Sequence, residues 1–293
     1  REATFSGYRP CKRCRPLEVD GGAPAWVRRL LAEVERDPGT RLPARELKRL
    51  GIDPARARRY FLKHYGLTFQ AYCRARRLSS AFMKIKEGAT VSETIVDAGF
   101  QSESGFRAAF GKTFGTAPTA ARSRDAICLD WLESPVGPLV AGATNQAVCL
   151  LEFSDRRMLE TQLQSLRRRF DAPLVPGTNR LLVSLRRQLE EYFAGRRRGF
   201  DLPLDYRGTP FQEKVWKTLL EIPYGQTWSY RELAGRVGDA KACRAVGMAN
   251  GANRICIVIP CHRVVNAGGQ LGGYGGGVWR KKFLLELERR RAD

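Results

Sequence analysis

Residues 58–69 and 107–118 of this chain repeat one another. RRYFLKHYGLTF and RAAFGKTFGTAP align with Phe61 on Phe110, Lys63 on Lys112, Tyr65 on Phe114 and Gly66 on Gly115. Two copies of a helix that closes on an aromatic–glycine step call for two similar helical units. The surrounding sequence predicts little but helix. WVRRLLAEVER has apolar residues at helical spacing. LPARELKRL stops at Gly51. DPARARRYFLKHY starts near Pro54 and stops at Gly66, and LTFQAYCRARRLSSAFMKIKE stops at Gly88. Proline near a helix start and glycine past its end mark these boundaries. TVSETIVDAGF and SESGFRAAFGKTFG complete residues 24–122. Each unit is a short helix, a tight turn and a second helix, which is helix-turn-helix geometry. Ser102 suits an N-cap. Phe106, Phe110 and Phe114 share one helix face and belong in a core.

Charge narrows the partner. Lys and Arg number 51 against 30 Asp and Glu, a net +21, with +12 on residues 1–125 and +9 on the remainder. A surplus on both halves favours a polyanion, most simply double-stranded DNA. The bland alternative is a solvated, Arg-rich surface. No apolar run approaches the length of a membrane span, so no membrane partner is expected. The opening REATFSGYRPCKRC has no apolar signal-peptide core, so no signal peptide is expected. It also lacks an initiating Met, so a fragment of a longer protein is expected. Most of the 8 cysteines sit in apolar settings, as in AVCLLEF, and read as reduced, buried thiols.

The remaining chain reads as two further domains. TAARSRDAI is a short linker. Residues 128–204 alternate apolar runs with turn residues and then give two helices, RMLETQLQSLRRRF and LLVSLRRQLEEYF, which makes a small α/β domain. Residues 206–293 turn helical again. SYRELAGRVGDAKACRAVGMANG has a helix-turn-helix cadence, and its second helix is rich in Ala and Gly. Small side chains let a helix approach a groove closely; they also serve tight packing.

IPCHRVV raises the chemical question. The chain has 2 histidines, and one, His262, stands beside Cys261. The apolar run ICIVIP predicts a strand-like lead-in that displays Cys261 at its end. Burial there raises a thiol's pKa, so a nucleophilic thiolate needs a base. Neighbours on an extended segment point opposite ways. A direct thiol–imidazole contact is therefore awkward, and a bent backbone or a bridging water is required. Zinc on Cys243, Cys256, Cys261 and His262 matches no usual ligand spacing. An apolar cysteine packed in a core is the competing reading.

Two family resemblances bear on these alternatives. AGFQSESGFRAAFGKTFGTAP resembles the signature of the AraC/XylS transcription regulators, over residues 24–122. The resemblance implies recognition helices at 54–64 and 102–113, lying in successive major grooves. Candidate DNA contacts are then Arg56, Arg58, Gln101, Glu103, Ser104 and Arg107. PFQEKVW, IPYGQTWSYRELA, CRAVGMANGAN, IPCHRVV and GGYGGG occur in order and resemble the O6-alkylguanine-DNA alkyltransferases, over about 128–290. That likeness implies a ribonuclease H-like domain followed by a winged-helix-like catalytic domain. It makes Cys261 the alkyl acceptor, with His262 deprotonating it through a water and Glu288 holding the imidazole. Asn253 would brace the turn before the active-site segment. Tyr230 would help expel the nucleotide and protonate the departing guanine. Arg244 would fill the gap in the base stack. Val264 and Gly275 would supply backbone groups to a guanine pocket beside Tyr274. Arg254 stands where proline is common, a departure of little expected effect that could add a phosphate contact.

RPCKRC at 9–14 resembles the end of the zinc module that precedes such fused regulators. Cys11 and Cys14 would be half of its zinc site, the other ligands being absent from this chain. The expected fold is thus multidomain, α and α/β. Residues 1–22 are a zinc-module remnant, 24–122 an all-α double helix-turn-helix module, 128–204 a small α/β domain and 206–293 the catalytic domain. The expected activity is irreversible, single-turnover transfer of a methyl from O6-methylguanine, and from O4-methylthymine, to Cys261. This is fused to a sequence-specific regulator of the alkylation response. No cofactor is needed for transfer, and zinc enters only with the missing module. Expected partners are double-stranded DNA and RNA polymerase, for a monomer in the bacterial cytoplasm, associated with the nucleoid. The rival is a regulator whose C-terminal half only senses or binds alkylated DNA. A cysteine hydrolase finds no oxyanion or triad support.

Overall fold

The computed structural model describes residues 24–290 apart from Pro38, Thr40, Gly66 and Arg124. The repeat builds two helical units that share one long helix. The first holds α1 (Ala25–Arg36), α2 (Ala44–Arg49) and α3 (Pro54–Tyr65). The second holds α5 (Val91–Asp97) and α6 (Glu103–Phe114). Helix α4 (Phe69–Lys86) runs between them. Its Phe69, Tyr72 and Cys73 join the first core with Phe61. Its Leu78, Phe82 and Ile85 join the second with Phe106, Phe110 and Phe114. The ends follow the expected chemistry. Ser102 Oγ accepts the Gly105 N–H at 3.2 Å, Thr90 and Glu93 form a capping box, and Gly115 closes α6 at φ 65°. Gly66, expected to close α3, lies outside the described residues.

The expected linker is instead part of the packing. Residues Pro118–Ser123 form a 3-10 segment. Ala121 is buried in the second helical core, and the Arg122 guanidinium donates to the carbonyls of Gly88 and Ala89 at 3.1 and 3.3 Å. Small and basic residues read as polar linker in sequence. Here a helix end offers them carbonyls that need donors.

A four-stranded sheet follows, in the order β3-β2-β1-β4. Its strands are β1 (Ile127–Leu132), β2 (Leu139–Ala143), β3 (Val148–Phe153) and β4 (Leu174–Pro176). β1 runs antiparallel to β2, as β2 does to β3, and β1 runs parallel to β4. The crossover helix α7 (Leu159–Phe170) joins β3 to β4, and α8 (Arg180–Phe193) follows. Both faces are buried, as the period of two requires. Ile127 and Leu129 pack with Leu166 of α7. Cys128 and Leu132 pack with Leu185 and Leu189 of α8, in a core that continues into the C-terminal part of the chain through Trp216 and Val246.

The two helical units dock on this sheet. Val175 of β4 sits in the second helical core, and Tyr72 meets Trp131 edge to face with ring centroids 5.9 Å apart. Beside them Asp130, 2% exposed, accepts from Arg186 at 2.9 Å and faces the buried Arg76 at 3.9 Å. Asp130→Ala removes the carboxylate that faces the buried Arg76. The expected loss is about 3–5 kcal/mol, read as a lower midpoint of denaturant unfolding.

Candidate active site

Four helices and a short parallel pair build the C-terminal part. Helix α9 (Pro210–Leu219) starts on a Thr209–Gln212 capping box with Pro210 in its first turn. Strand β5 (Trp228–Ser229) leads into α10 (Tyr230–Val237), and α11 (Cys243–Gly251) and α12 (Val278–Arg289) complete the set. Trp216 of α9 donates from Nε1 to the Ala249 carbonyl at 2.8 Å, which ties α9 to α11.

The lead-in to Cys261 is a set of turns rather than a strand. Only Ile255 bridges a strand, pairing with Leu151 of β3. Ile257 then takes φ 71°, a conformation costly for a β-branched residue. The cause is Asn253. Its Oδ1 accepts the Ile255 N–H at 3.0 Å, and its Nδ2 donates to the Ile259 carbonyl at 2.9 Å. One side-chain amide takes the place of a ladder partner and folds the run back on itself. An apolar run reads alike in a buried turn and a buried strand, so sequence does not separate them. Cys261 opens a one-turn 3-10 helix, Cys261–Arg263. Strand β6 (Val264–Val265) follows and pairs with β5. Successive side chains in such a turn point about 120° apart, so Cys261 and His262 face different surroundings.

His262 and Glu288 are both completely buried. His262 Nε2 lies 2.9 Å from Glu288 Oε1. The carboxylate also accepts from Tyr192 Oη at 2.6 Å, from Arg263 Nε and Nη2 at 2.8 and 3.0 Å, and from the Gly225 N–H at 3.3 Å. Burial alone would raise the Glu288 pKa. The hydrogen bonds and charges of His262 and Arg263 outweigh it and hold the carboxyl well below the usual range. His262 is pushed the other way. Burial lowers its pKa and Glu288 only partly restores it, so the ring is neutral at rest. An anionic Glu288 assigns the ring proton to Nε2 and leaves Nδ1 as the basic nitrogen. Nδ1 is buried and has no hydrogen-bond partner among the described residues.

Cys261 is 4% exposed, with Sγ 4.0 Å from Tyr274 Oη. Burial raises its pKa, while hydrogen bonds with Asn253 and Tyr274 pull it back. The thiol opens on a cavity of about 200 Å³ lined by Tyr230, Asn250, Asn253, Tyr274 and Gly275, among others. Burial raises the Tyr230 pKa, and the nearby Cys261 adds to the rise, so this phenol keeps its proton.

Three comparisons bear on a chain with this site. The models described as the 6-O-methylguanine DNA methyltransferase DNA binding domain and ribonuclease-like domain match residues 210–290 and 129–206. A helix-turn-helix domain model matches 47–124. The methylated-DNA–protein-cysteine methyltransferase of Mycobacterium tuberculosis is 48% identical over 161 residues, covering 55% of this chain and 92% of the relative. The bifunctional transcriptional activator/DNA repair enzyme Ada of Escherichia coli is 32% identical over 295 residues, covering 98% of this chain and 82% of that protein. The chain belongs to the Ada family. The crystal structure of the Mycobacterium tuberculosis O6-methylguanine methyltransferase superposes with a TM-score of 0.49 at 43% identity, over 57% of this chain and 95% of that one.

In this Ada-family chain the expected site residues separate into groups. Cys261, Asn253, Tyr230, Tyr274 and Gly275 meet at the cavity; His262 and Glu288, bonded to each other, are not among its lining residues. Val264 is not among the lining residues. Its N–H donates to the Cys261 carbonyl, and its own carbonyl accepts from Lys281 Nζ at 2.5 Å. Lys281 is fully buried, and burial brings its pKa down to about 8. Arg244 is exposed in the first turn of α11. Arg254 points inward, against the expectation of a phosphate contact. It is 9% exposed, donates to the Arg207 carbonyl at 2.9 Å and lies over the Trp216 ring. Arg56, Arg58, Gln101, Glu103, Ser104 and Arg107 are all exposed; Arg107 pairs with Glu103 at 2.6 Å. Cys11 and Cys14 lie outside the described residues. Among the described residues no three His, Cys, Asp or Glu side chains are grouped to hold a metal.

Sequence reasoning missed several members. Asn250 donates to the Cys261 carbonyl at 3.3 Å; the doubled Asn of NGAN was its one visible signal. Arg263 stands inside PCHR itself. Tyr192, 96 positions from Glu288, left no signal of its role.

Proposed function

We propose that the chain repairs alkylated DNA by moving the methyl of O6-methylguanine, and of O4-methylthymine, onto Cys261, and that it also regulates transcription through its helix-turn-helix half. One observation carries the chemistry: a buried thiol on a cavity, followed in the chain by a histidine whose basic nitrogen has no partner among the described residues and whose other nitrogen is held by Glu288. The methyl of O6-methylguanine is buried in the duplex, so the nucleotide must leave the stack to reach Sγ. Arg244, exposed on the small-residue helix α11, fills the gap it leaves. The Sγ proton passes through a water to His262 Nδ1, and Glu288 stabilises the imidazolium formed. The thiolate attacks the methyl carbon as the C–O6 bond breaks. The electron pair goes to the guanine, which takes a proton from Tyr230. Gly275 and Tyr274 hold the base.

The product is a thioether. It has no carbonyl or phosphoryl for water to attack, so the protein is spent after one event. Mixing it with excess O6-methylguanine duplex should give a plateau at one methyl per chain. Transfer beyond that plateau would refute single use, and DNA binding without transfer would leave the sensor reading. His262→Ala should slow transfer by about 10²–10⁴-fold, the usual worth of a positioned base, in a rapid-quench time course.

For the regulator half the supporting fact is exposure. Arg56 and Arg58 project from α3, and Gln101, Glu103, Ser104 and Arg107 cluster at the start of α6, while the three phenylalanines of α6 are buried. Arg56→Ala with Arg58→Ala should lower the slope of log K against log salt for operator binding by about 2, one per phosphate contact. An unchanged slope removes these residues from the interface. RNA polymerase contact, a monomeric state and a place on the nucleoid belong to the same proposal.

A further inference from the structure

The wall of the cavity facing Gly275 is built by the small α/β domain. The loop Gly273–Gly277 is nearly all glycine, and two of these glycines have neighbours that leave no room for a side chain. A Cβ on Gly275 would lie 2.7 Å from the guanidinium carbon of Arg156, and one on Gly276 would lie 2.3 Å from the Phe153 ring. Both intruding residues come from the end of β3 and the turn after it, and both line the cavity with Cys261.

Arg156 is pinned there. Its Nη1 donates to the Glu152 carboxylate and, at 3.3 Å, to the Asn253 carbonyl. Its Nη2 donates to the Gly251 carbonyl at 2.5 Å. Glu152 is completely buried and is itself held by the Gln162 amide at 3.1 Å and the Phe153 N–H at 2.9 Å. Swinging Arg156 aside would strand a buried carboxylate and two carbonyls, which is costly. A loop of glycines could yield to a large substituent. A guanidinium fastened at three points cannot.

We propose that Arg156 is a specificity-determining residue that limits the size of the O6-alkyl group the cavity accepts. The inference rests on the alkyltransferase reading. Methyl fits beside the guanidinium, and a benzyl group must displace it.

The test compares rate constants for transfer from duplexes carrying O6-methylguanine or O6-benzylguanine, in the wild type, in Arg156→Ala and in Glu152→Gln/Arg156→Ala. The double variant removes the stranded carboxylate if the single one fails to fold. The benzyl-to-methyl ratio is expected to rise roughly tenfold or more in the truncated proteins, the scale on which pocket volume discriminates. Arg156→Lys should fall between. An unchanged ratio, with both rate constants lowered together, would mean that Arg156 only clasps the end of α11 and the Asn253 turn, and the proposal would be wrong. Failure of the underlying reading looks different: the wild type would then transfer neither group.

Discussion

Cys261→Ser is expected to abolish methyl transfer while the protein remains folded and binds DNA. The two side chains are nearly isosteric, so the buried position should accept the change. The chemistry should not. A hydroxyl is a weak nucleophile whose proton a neutral imidazole removes far less readily than that of a thiol. Peptide mass spectrometry after incubation with O6-methylguanine duplex should find one methyl on Cys261 in the wild type and none in the variant. Cys256 lines the same cavity and is the internal control. It is fully buried, and burial raises its pKa well above the ordinary value, so it should stay unmodified. A methyl on Cys256 would overturn the assignment of the acceptor.

Glu288→Gln should lower both stability and rate. Tyr192, His262 and Arg263 all converge on this carboxylate. The amide keeps the shape but leaves the Arg263 charge buried and unpaired, at an expected cost of about 3–5 kcal/mol. Transfer should slow by about 10²-fold or more, because the imidazolium loses its counter-charge. The acid limb of stability should change as well. Glu288 is held below its unfolded pKa of about 4.3. It therefore contributes stability above that pH, which is lost as pH falls toward the folded value. His262 is lowered beneath its unfolded value of about 6.5. The unfolded chain takes up a proton that the buried ring refuses, so stability starts to fall below that pH. Unfolding midpoints between pH 3 and 8 should show a shallower acid limb below about pH 4.3 in Glu288→Gln than in the wild type, with the fall below the histidine range kept. The limb that remains is owed to other carboxylates such as Glu93 and Glu232, whose hydrogen bonds also lower their pKa values. An acid limb identical in the two proteins would show that the carboxylate is not the linked group.

The helices of the regulator half were legible because their signals are local. Pro54, Ser102, Gly51, Gly88 and Gly115 mark ends by chemistry acting within one turn of chain. Phe106, Phe110 and Phe114 declare a buried face by spacing alone. The segment before Cys261 was misread for the matching reason. ICIVIP is apolar throughout and carries no period, and the residue that folds it into turns, Asn253, acts through a side-chain amide that spacing does not reveal. The short stretch after Pro118 was misread as a linker because its partners, the carbonyls at the end of α4, lie more than thirty residues away.

By itself the sequence determined which residue types were on hand for the chemistry: a cysteine next to a histidine, a tyrosine at the head of a helix, and an arginine on a helix of small residues. It also determined a double helical unit and its ends. Tertiary structure alone decided which groups meet. Glu288 is saturated by Tyr192 from one domain and Arg263 from another, and the cavity wall is closed by Arg156 from a third place in the chain. The Tyr192–Glu288 and Arg156–Gly251 contacts join residues 96 and 95 positions apart. Their geometry depends on how the sheet packs against the catalytic helices, and a one-dimensional pattern carries periods and neighbours but not that distance.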